Sequence, residues 1–231
     1  MNRKWIFIGV GLLILFAIFW PNIPRLTGGQ VSVFGKYVVC YPDGKCEKIS
    51  TENPLFAFIT PSGRTVSKMF LELWAAVKVD NPQSIASASW EIRTQAPNNP
   101  VSWRQEYFCK LSTGTMHRFA ESWGGGSSGV IPPELLNGTA FNLNTWTILP
   151  ENYGGTWLYQ AFLSQCSPYE GQDVVFKLTL PAGLFRVTVV NANGESETKT
   201  LDQQVVAEAV LKYSSTQGLS ILSLEFRYVS P

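Results

Sequence analysis

The chain has a single histidine, His117, among its 231 residues, and its four cysteines form no Cys-x-x-Cys pair. A structural zinc site needs closely spaced Cys and His ligands, so no metal site is expected. Charge is scarce as well: Asp, Glu, Lys and Arg make up 15% of the chain and sum to +1. No basic run interleaved with aromatic residues occurs, which removes the electrostatic footprint of a nucleic-acid partner. With Arg3, Lys4 and Arg25 set aside, 15 basic residues face 17 acidic ones, a slightly acidic balance. No cofactor is implied.

Charge is absent altogether from Trp5 to Trp20, WIFIGVGLLILFAIFW. As a helix these residues span roughly 24 Å, a little less than the ~30 Å hydrocarbon core. Arg3 and Lys4 precede the run and Pro21 and Pro24 come after it. Basic residues before such a segment keep the N-terminus inside and send the C-terminal part of the chain outside. Trp5 and Trp20 are placed to sit at the two headgroup interfaces. A cleaved signal peptide competes with this reading, but no A-x-A pattern comes after the run, and Thr27-Gly28-Gly29 is a poor cleavage site. The expectation is a single-pass signal-anchor: residues 1–4 inside, 5–20 across the bilayer, 21–29 a linker and 30–231 exported.

An even number of cysteines in an exported chain reads as disulfides. Pro42-Asp43-Gly44 is strong turn chemistry, because Pro presets φ and Gly accepts the left-handed position. A hairpin there sets Cys40 opposite Cys46. Cys109 and Cys166 then pair by elimination and enclose the glycine-rich middle of the chain.

The last third carries the clearest periodicity. Val174, Phe176, Leu178 and Leu180 alternate with more polar residues, as do Phe185, Val187 and Val189, and then Leu222, Leu224, Phe226 and Tyr228. Period two with one wet face marks antiparallel strands. Pro181-Ala182-Gly183 and Asn193-Gly194 supply turns. These features resemble the immunoglobulin-type sandwiches of many surface proteins; the likeness is generic and identifies no family. Val66–Asp80 fits a helix face and a strand face equally well, and its Val-Lys-Val-Asp-Asn-Pro ending favours strand. Trp157–Leu163 reads as a strand leading to Cys166. Asp202–Tyr213 fits either a helix capped by Asp202 or a strand. Residues 112–156 are rich in Gly, Pro and Asn and read as long loops joined by short strands. The expected fold is mainly β: an N-terminal transmembrane helix followed by an antiparallel β-sandwich ectodomain, Ig-like or jelly-roll-like. It comprises one or two sandwiches with long loops, with a possible subdivision near residue 165.

Few residues offer chemistry. Gly125-Gly126-Ser127-Ser128-Gly129 matches G-x-S-x-G, but a nucleophile elbow needs a strand before the Ser and a helix after it, and here Pro132-Pro133 comes next. A flexible loop is the simpler expectation. His117 lacks neighbouring carboxylates and reads as an ordinary strand residue. Glu170 with Asp173, and Glu195 with Glu197, look like solvated turn carboxylates. Asn191, Asn193 and Glu195 have alternate-position calcium spacing over a short stretch, but a hairpin turn is much the better reading. Asn137-Gly138-Thr139 is a glycosylation sequon within a breaker-rich tract.

Three functions fit. The first is a non-enzymatic, membrane-anchored surface or structural protein of a cell envelope or virion. Its partners would be the bilayer, other envelope or coat proteins and further copies of itself. The second is a secreted filament or coat subunit that donates Gln30–Val39 to a neighbour's sheet after signal removal. The third is an exported carbohydrate-binding module or hydrolase using exposed Trp123, Trp146 or Trp157.

Overall fold

The computed structural model describes residues 30–50, 64–93, 103–151, 153–183, 185–201 and 203–229. The apolar segment 5–20 with Trp5 and Trp20, and the linker 21–29, lie outside these residues. Among the described residues no helix is long and apolar enough to cross a membrane.

Thirteen strands among the described residues form three antiparallel sheets. The first has the order β2-β1-β3-β8, with β1 Gln30–Cys40, β2 Cys46–Ser50, β3 Lys68–Lys78 and β8 Asn137–Leu149. The second has the order β13-β12-β9-β5-β6, with β5 Trp103–Lys110, β6 Met116–Gly124, β9 Asp173–Leu180, β12 Gln204–Ser214 and β13 Gly218–Val229. The third has the order β11-β10-β4-β7, with β4 Ile85–Ile92, β7 Ser127–Val130, β10 Phe185–Asn191 and β11 Ser196–Thr200. A helix, α1, spans Trp157–Cys166.

The ambiguous segment is strand β3, and period two decides it. Met69, Leu71, Leu73, Ala75 and Val77 are all buried, while Phe70, Glu72, Trp74 and Ala76 alternate with them toward solvent. Asp202–Tyr213 likewise resolves as strand β12, with Val205, Ala207, Ala209 and Leu211 turned inward; Asp202 is outside the described residues. The buried residues of all three sheets join one apolar cluster.

The first two sheets face each other and are pegged together by polar groups. The buried Tyr37 hydroxyl of β1 donates to the Glu225 carbonyl at 2.6 Å and reaches that of Glu208 at 3.1 Å. Burial raises its pKa well above the ordinary phenol value. The Gln105 amide donates to the Thr147 carbonyl at 2.8 Å, and the Tyr107 hydroxyl to that of Ile148 at 3.0 Å, fixing β5 to β8. The sheets approach so closely that a Cβ on Gly35 would lie 2.5 Å from the Phe226 ring.

Two expectations from the sequence are corrected. Residues 112–156 are not mainly loop: they hold β6, β7 and the thirteen-residue β8. Alternation along β8 is broken because its pairing with β3 shifts register at three places. Trp157–Leu163 is not a strand but most of α1. Leu158, Phe162 and Cys166 are its buried residues, four apart, and the Thr156 side chain accepts the Tyr159 N–H as a cap.

The strand directions give the fold two distinct ends. At one end Cys40 pairs with Lys68, Met69 with Leu149, Cys109 with Val174 and Tyr213 with Leu219. At the other, Gln30 pairs with Lys78, Trp103 with Gly124 and Gln204 with Val229. Every connection to the third sheet leaves from this second end. The chain enters there at Gln30 and reaches the first end at Cys40, about 33 Å away by strand geometry.

Candidate binding pocket

Both disulfides lie at the first end. Cys40 and Cys46 sit directly opposite across the β1–β2 hairpin, and Cys109 is bonded to Cys166 at the C-terminus of α1. Every cysteine of the chain is paired. At this end opens a cavity of about 330 Å³. Its walls come from four separate stretches: Thr65–Ser67 before β3, Leu149 with Tyr153 and Gly154, Tyr159 on α1, and the β12–β13 turn from Tyr213 to Leu219.

Each wall is held by specific contacts. Ser67 donates both its N–H and its hydroxyl to the Cys40 carbonyl, at 2.8 and 3.0 Å. Val66 N–H donates to the Leu219 carbonyl at 2.7 Å, and Thr65 bridges to Ser220, so this stretch ties the first sheet to the second. Arg64 lies 3.8 Å over the Tyr41 ring and pairs with Asp43 at 3.3 Å, fixing the approach to Thr65. The Thr156 hydroxyl donates to the Tyr153 carbonyl at 2.7 Å while capping Tyr159, so one threonine sets two pocket tyrosines. Their rings meet edge to face at 5.1 Å, and Tyr213 packs at 5.3 Å against Phe162. Burial pushes the Tyr153 hydroxyl well above the ordinary phenol range; the Tyr213 hydroxyl is raised by burial and then by its hydrogen bond with Tyr159. These phenols are neutral at physiological pH.

Two further polar groups brace the pocket from behind. The Glu170 carboxylate accepts the Ser215 N–H at 2.8 Å and its hydroxyl at 3.0 Å, which lowers the Glu170 pKa. Gln172 is fully buried, and its amide donates to the carbonyls of Lys110 and Cys166 at 3.1 and 3.3 Å, joining α1 to β5.

The residues singled out in the sequence do not converge here. Ser127 pairs with Ile92 in β7 and is followed by Pro132 and a 3-10 turn rather than a helix. His117 lies opposite Cys109, at the far end of β6 from Gly124. The tract 124–129 is not a flexible loop. Gly124 ends β6 and Ser127 begins β7, and three of its glycines are required by close packing. A Cβ would lie 2.4 Å from the Trp103 ring at Gly124, 2.3 Å from the Ile92 carbonyl at Gly126 and 2.7 Å from the Trp90 ring at Gly129.

Glu170 and Asp173 are separately engaged, Asp173 by Lys212 at 2.6 Å. Asn191 Oδ1 accepts the N–H groups of Asn193 and Glu195, and its amide donates to Glu195 at 2.7 Å, which makes this tract a self-satisfied hairpin turn. Asn137 is exposed, and its Oδ1 accepts the Thr139 N–H and hydroxyl at 2.9 and 2.6 Å. Trp123 and Trp157 are 59% and 64% exposed, but Trp146 is only 4% exposed. It is buried against Trp103 and so does not serve as a surface platform.

Tyr153, Tyr159 and Tyr213 carry the pocket, and sequence reasoning did not select them. The signal that could have found them was Thr156-x-x-Tyr159, a helix cap that a strand reading hides. No protein-family model matches the chain, and no curated protein matches it.

Proposed function

We propose that this is a non-enzymatic, membrane-anchored surface protein of a cell envelope or virion. In this reading residues 5–20 span the bilayer and an Ig-like or jelly-roll-like sandwich ectodomain, residues 30–231, stands outside. The observation that carries it is the pairing of all four cysteines in two bridges, which form and persist in an oxidising compartment. The apolar run between Arg3-Lys4 and Pro21 supplies the anchor. Gln30, where the described fold begins, lies at the end opposite the pocket, so an anchored ectodomain presents the pocket away from the membrane. The exposed sequon at Asn137 is a glycan acceptor where the host has the machinery. Further copies of the chain and other envelope or coat proteins are its expected partners.

The secreted-subunit reading fits less well. The segment it would donate, Gln30–Val39, pairs with β3 along its whole length and with β2 from Lys36 onward, so it already belongs to its own sheet. Protease added to intact cells or particles should remove the C-terminal domain and spare the anchor. Protection of the domain would overturn the reading. A mature N-terminus near Gln30 would replace anchoring by secretion.

A further inference from the structure

The chemistry of the cavity at the first end restricts what fits it. Among the described residues no charged side chain lines it. An anionic or cationic ligand would therefore lose its hydration without gaining a partner charge. A wholly apolar ligand would cover the Thr65 hydroxyl and the Gln217 amide without offering either a partner. The remaining class is neutral and presents C–H faces beside hydroxyls. The rings of Tyr153, Tyr159 and Tyr213 offer apolar surface to such faces, with polar groups at their edges.

We propose that this cavity binds a neutral sugar, with Tyr159 and Tyr213 as its stacking surfaces and the Ser214–Gly218 turn as its hydrogen-bonding rim. At about 330 Å³ it lies at the small end of the ~300–1,000 Å³ range of ligand pockets. It therefore takes a terminal sugar rather than a length of polysaccharide. The walls are fixed in advance by Ser67 on Cys40, Thr156 on Tyr153 and Glu170 on Ser215, so little ordering cost falls on binding. The inference rests on the proposed surface-protein reading, since an outward-facing pocket on a surface protein meets glycans. It differs from sugar binding on exposed tryptophans, because Trp123 and Trp157 do not line this cavity.

The test uses the full chain in lauryldimethylamine oxide, a detergent without a sugar headgroup. Saturation-transfer NMR is recorded with the methyl pyranosides of glucose, galactose, mannose and N-acetylglucosamine, and with sialic acid and indole as charged and apolar probes. At least one neutral pyranoside should bind. Tyr159→Ala and Tyr213→Ala should each weaken it by about two- to tenfold, the scale of a lost ring contact. Trp123→Ala and Trp157→Ala should leave it unchanged. Tyr159→Phe and Tyr213→Phe keep the rings and should retain most of the binding, which separates lost stacking from lost folding. Binding of none of the pyranosides, binding abolished by the Trp variants, or preference for sialic acid or indole would each overturn the proposal. Protease accessibility on intact cells reports export independently, so an exported domain that binds no pyranoside refutes the sugar alone.

Discussion

The two ends of the sandwich are closed by opposite means. At the cysteine end, covalent bridges and side-chain hydrogen bonds hold four distant stretches around a cavity. At the glycine end, Trp103 lies on Gly124 and Trp90 on Gly129, so closely that neither glycine could carry a Cβ. One end ties its walls together with cross-links; the other omits Cβ atoms so that indole rings and a carbonyl lie directly on backbone. A pocket lined by loops from several elements loses packing contacts, so its walls need other restraints to stay in place. The comparison sets the proposed sugar pocket at the cysteine end against ring-on-backbone packing at the glycine end.

Breaking the long bridge should have the largest effect. In the chain-entropy model the Cys109–Cys166 link, with a sequence separation of 57, is worth about 4 kcal/mol, whereas Cys40–Cys46, with a separation of 6, is worth about 2 kcal/mol. Paired Cys→Ser variants measured by urea unfolding without reductant should show that ratio. Equal losses would mean that loop closure is not what these bridges contribute.

The glycine end is tested next, by three single alanines. Gly126→Ala drives a methyl against the Ile92 carbonyl, and backbone cannot rotate away as a side chain does; a cost of about 3 kcal/mol is expected, at the upper end for overpacking. Gly129→Ala meets the Trp90 ring and should cost about 1–2 kcal/mol. Gly125→Ala has nothing within 4 Å of its new Cβ and should cost about 0.5 kcal/mol or less. A flexible loop would tolerate all three alike, so equal small effects in thermal unfolding would remove the distinction between the ends.

The glycine tract also shows where sequence reading stops. Gly-Gly-Gly-Ser-Ser-Gly has the composition of a linker, and only the positions of Trp90 and Trp103 in space reveal that it is packed. β8 was illegible for a related reason: Leu143, Trp146 and Ile148 face inward, but bulges opposite β3 break their alternation. β9 and β10 were legible because simple pairing preserves period two over most of their length; in β13 only Leu224 and Phe226 of the expected face are buried, and a register shift opposite Val210/Leu211 leaves Leu222 exposed. The hairpin bridge at Cys40 was legible because Pro-Asp-Gly is local. The pocket was not, since its tyrosines lie on α1, on a turn and on a strand, joined only by tertiary structure.

At the cysteine end, Thr156 is the next most sensitive point. Thr156→Ala removes the α1 cap and the hold on Tyr153, and should cost about 1 kcal/mol of stability. Sugar affinity should fall further than the helix loss explains, because both Tyr153 and Tyr159 lose their restraint. Thr156→Ser restores the hydroxyl and should restore both. Loss of stability with unchanged affinity would show that the cap serves the helix alone.

The smallest effect concerns Glu170. Its carboxylate accepts two hydrogen bonds from Ser215, and its pKa is lowered first by the Ser215 N–H and then by the Ser214 and Ser215 hydroxyls. A depressed folded-state pKa adds stability that is fully present above the ordinary value of 4.5 and is lost as pH falls through the lower folded value. The turn is exposed, so the gain is slight and solvent-screened. Glu170→Gln keeps the shape and removes the charge. Thermal midpoints of variant and parent should differ by a small constant amount from about pH 5 to 8 and converge below the ordinary carboxylate range. Pyranoside affinity should track the same curve, because Ser215 belongs to the rim. Midpoints that diverge on acidification would reverse the sign and place Glu170 outside the restraints of the pocket.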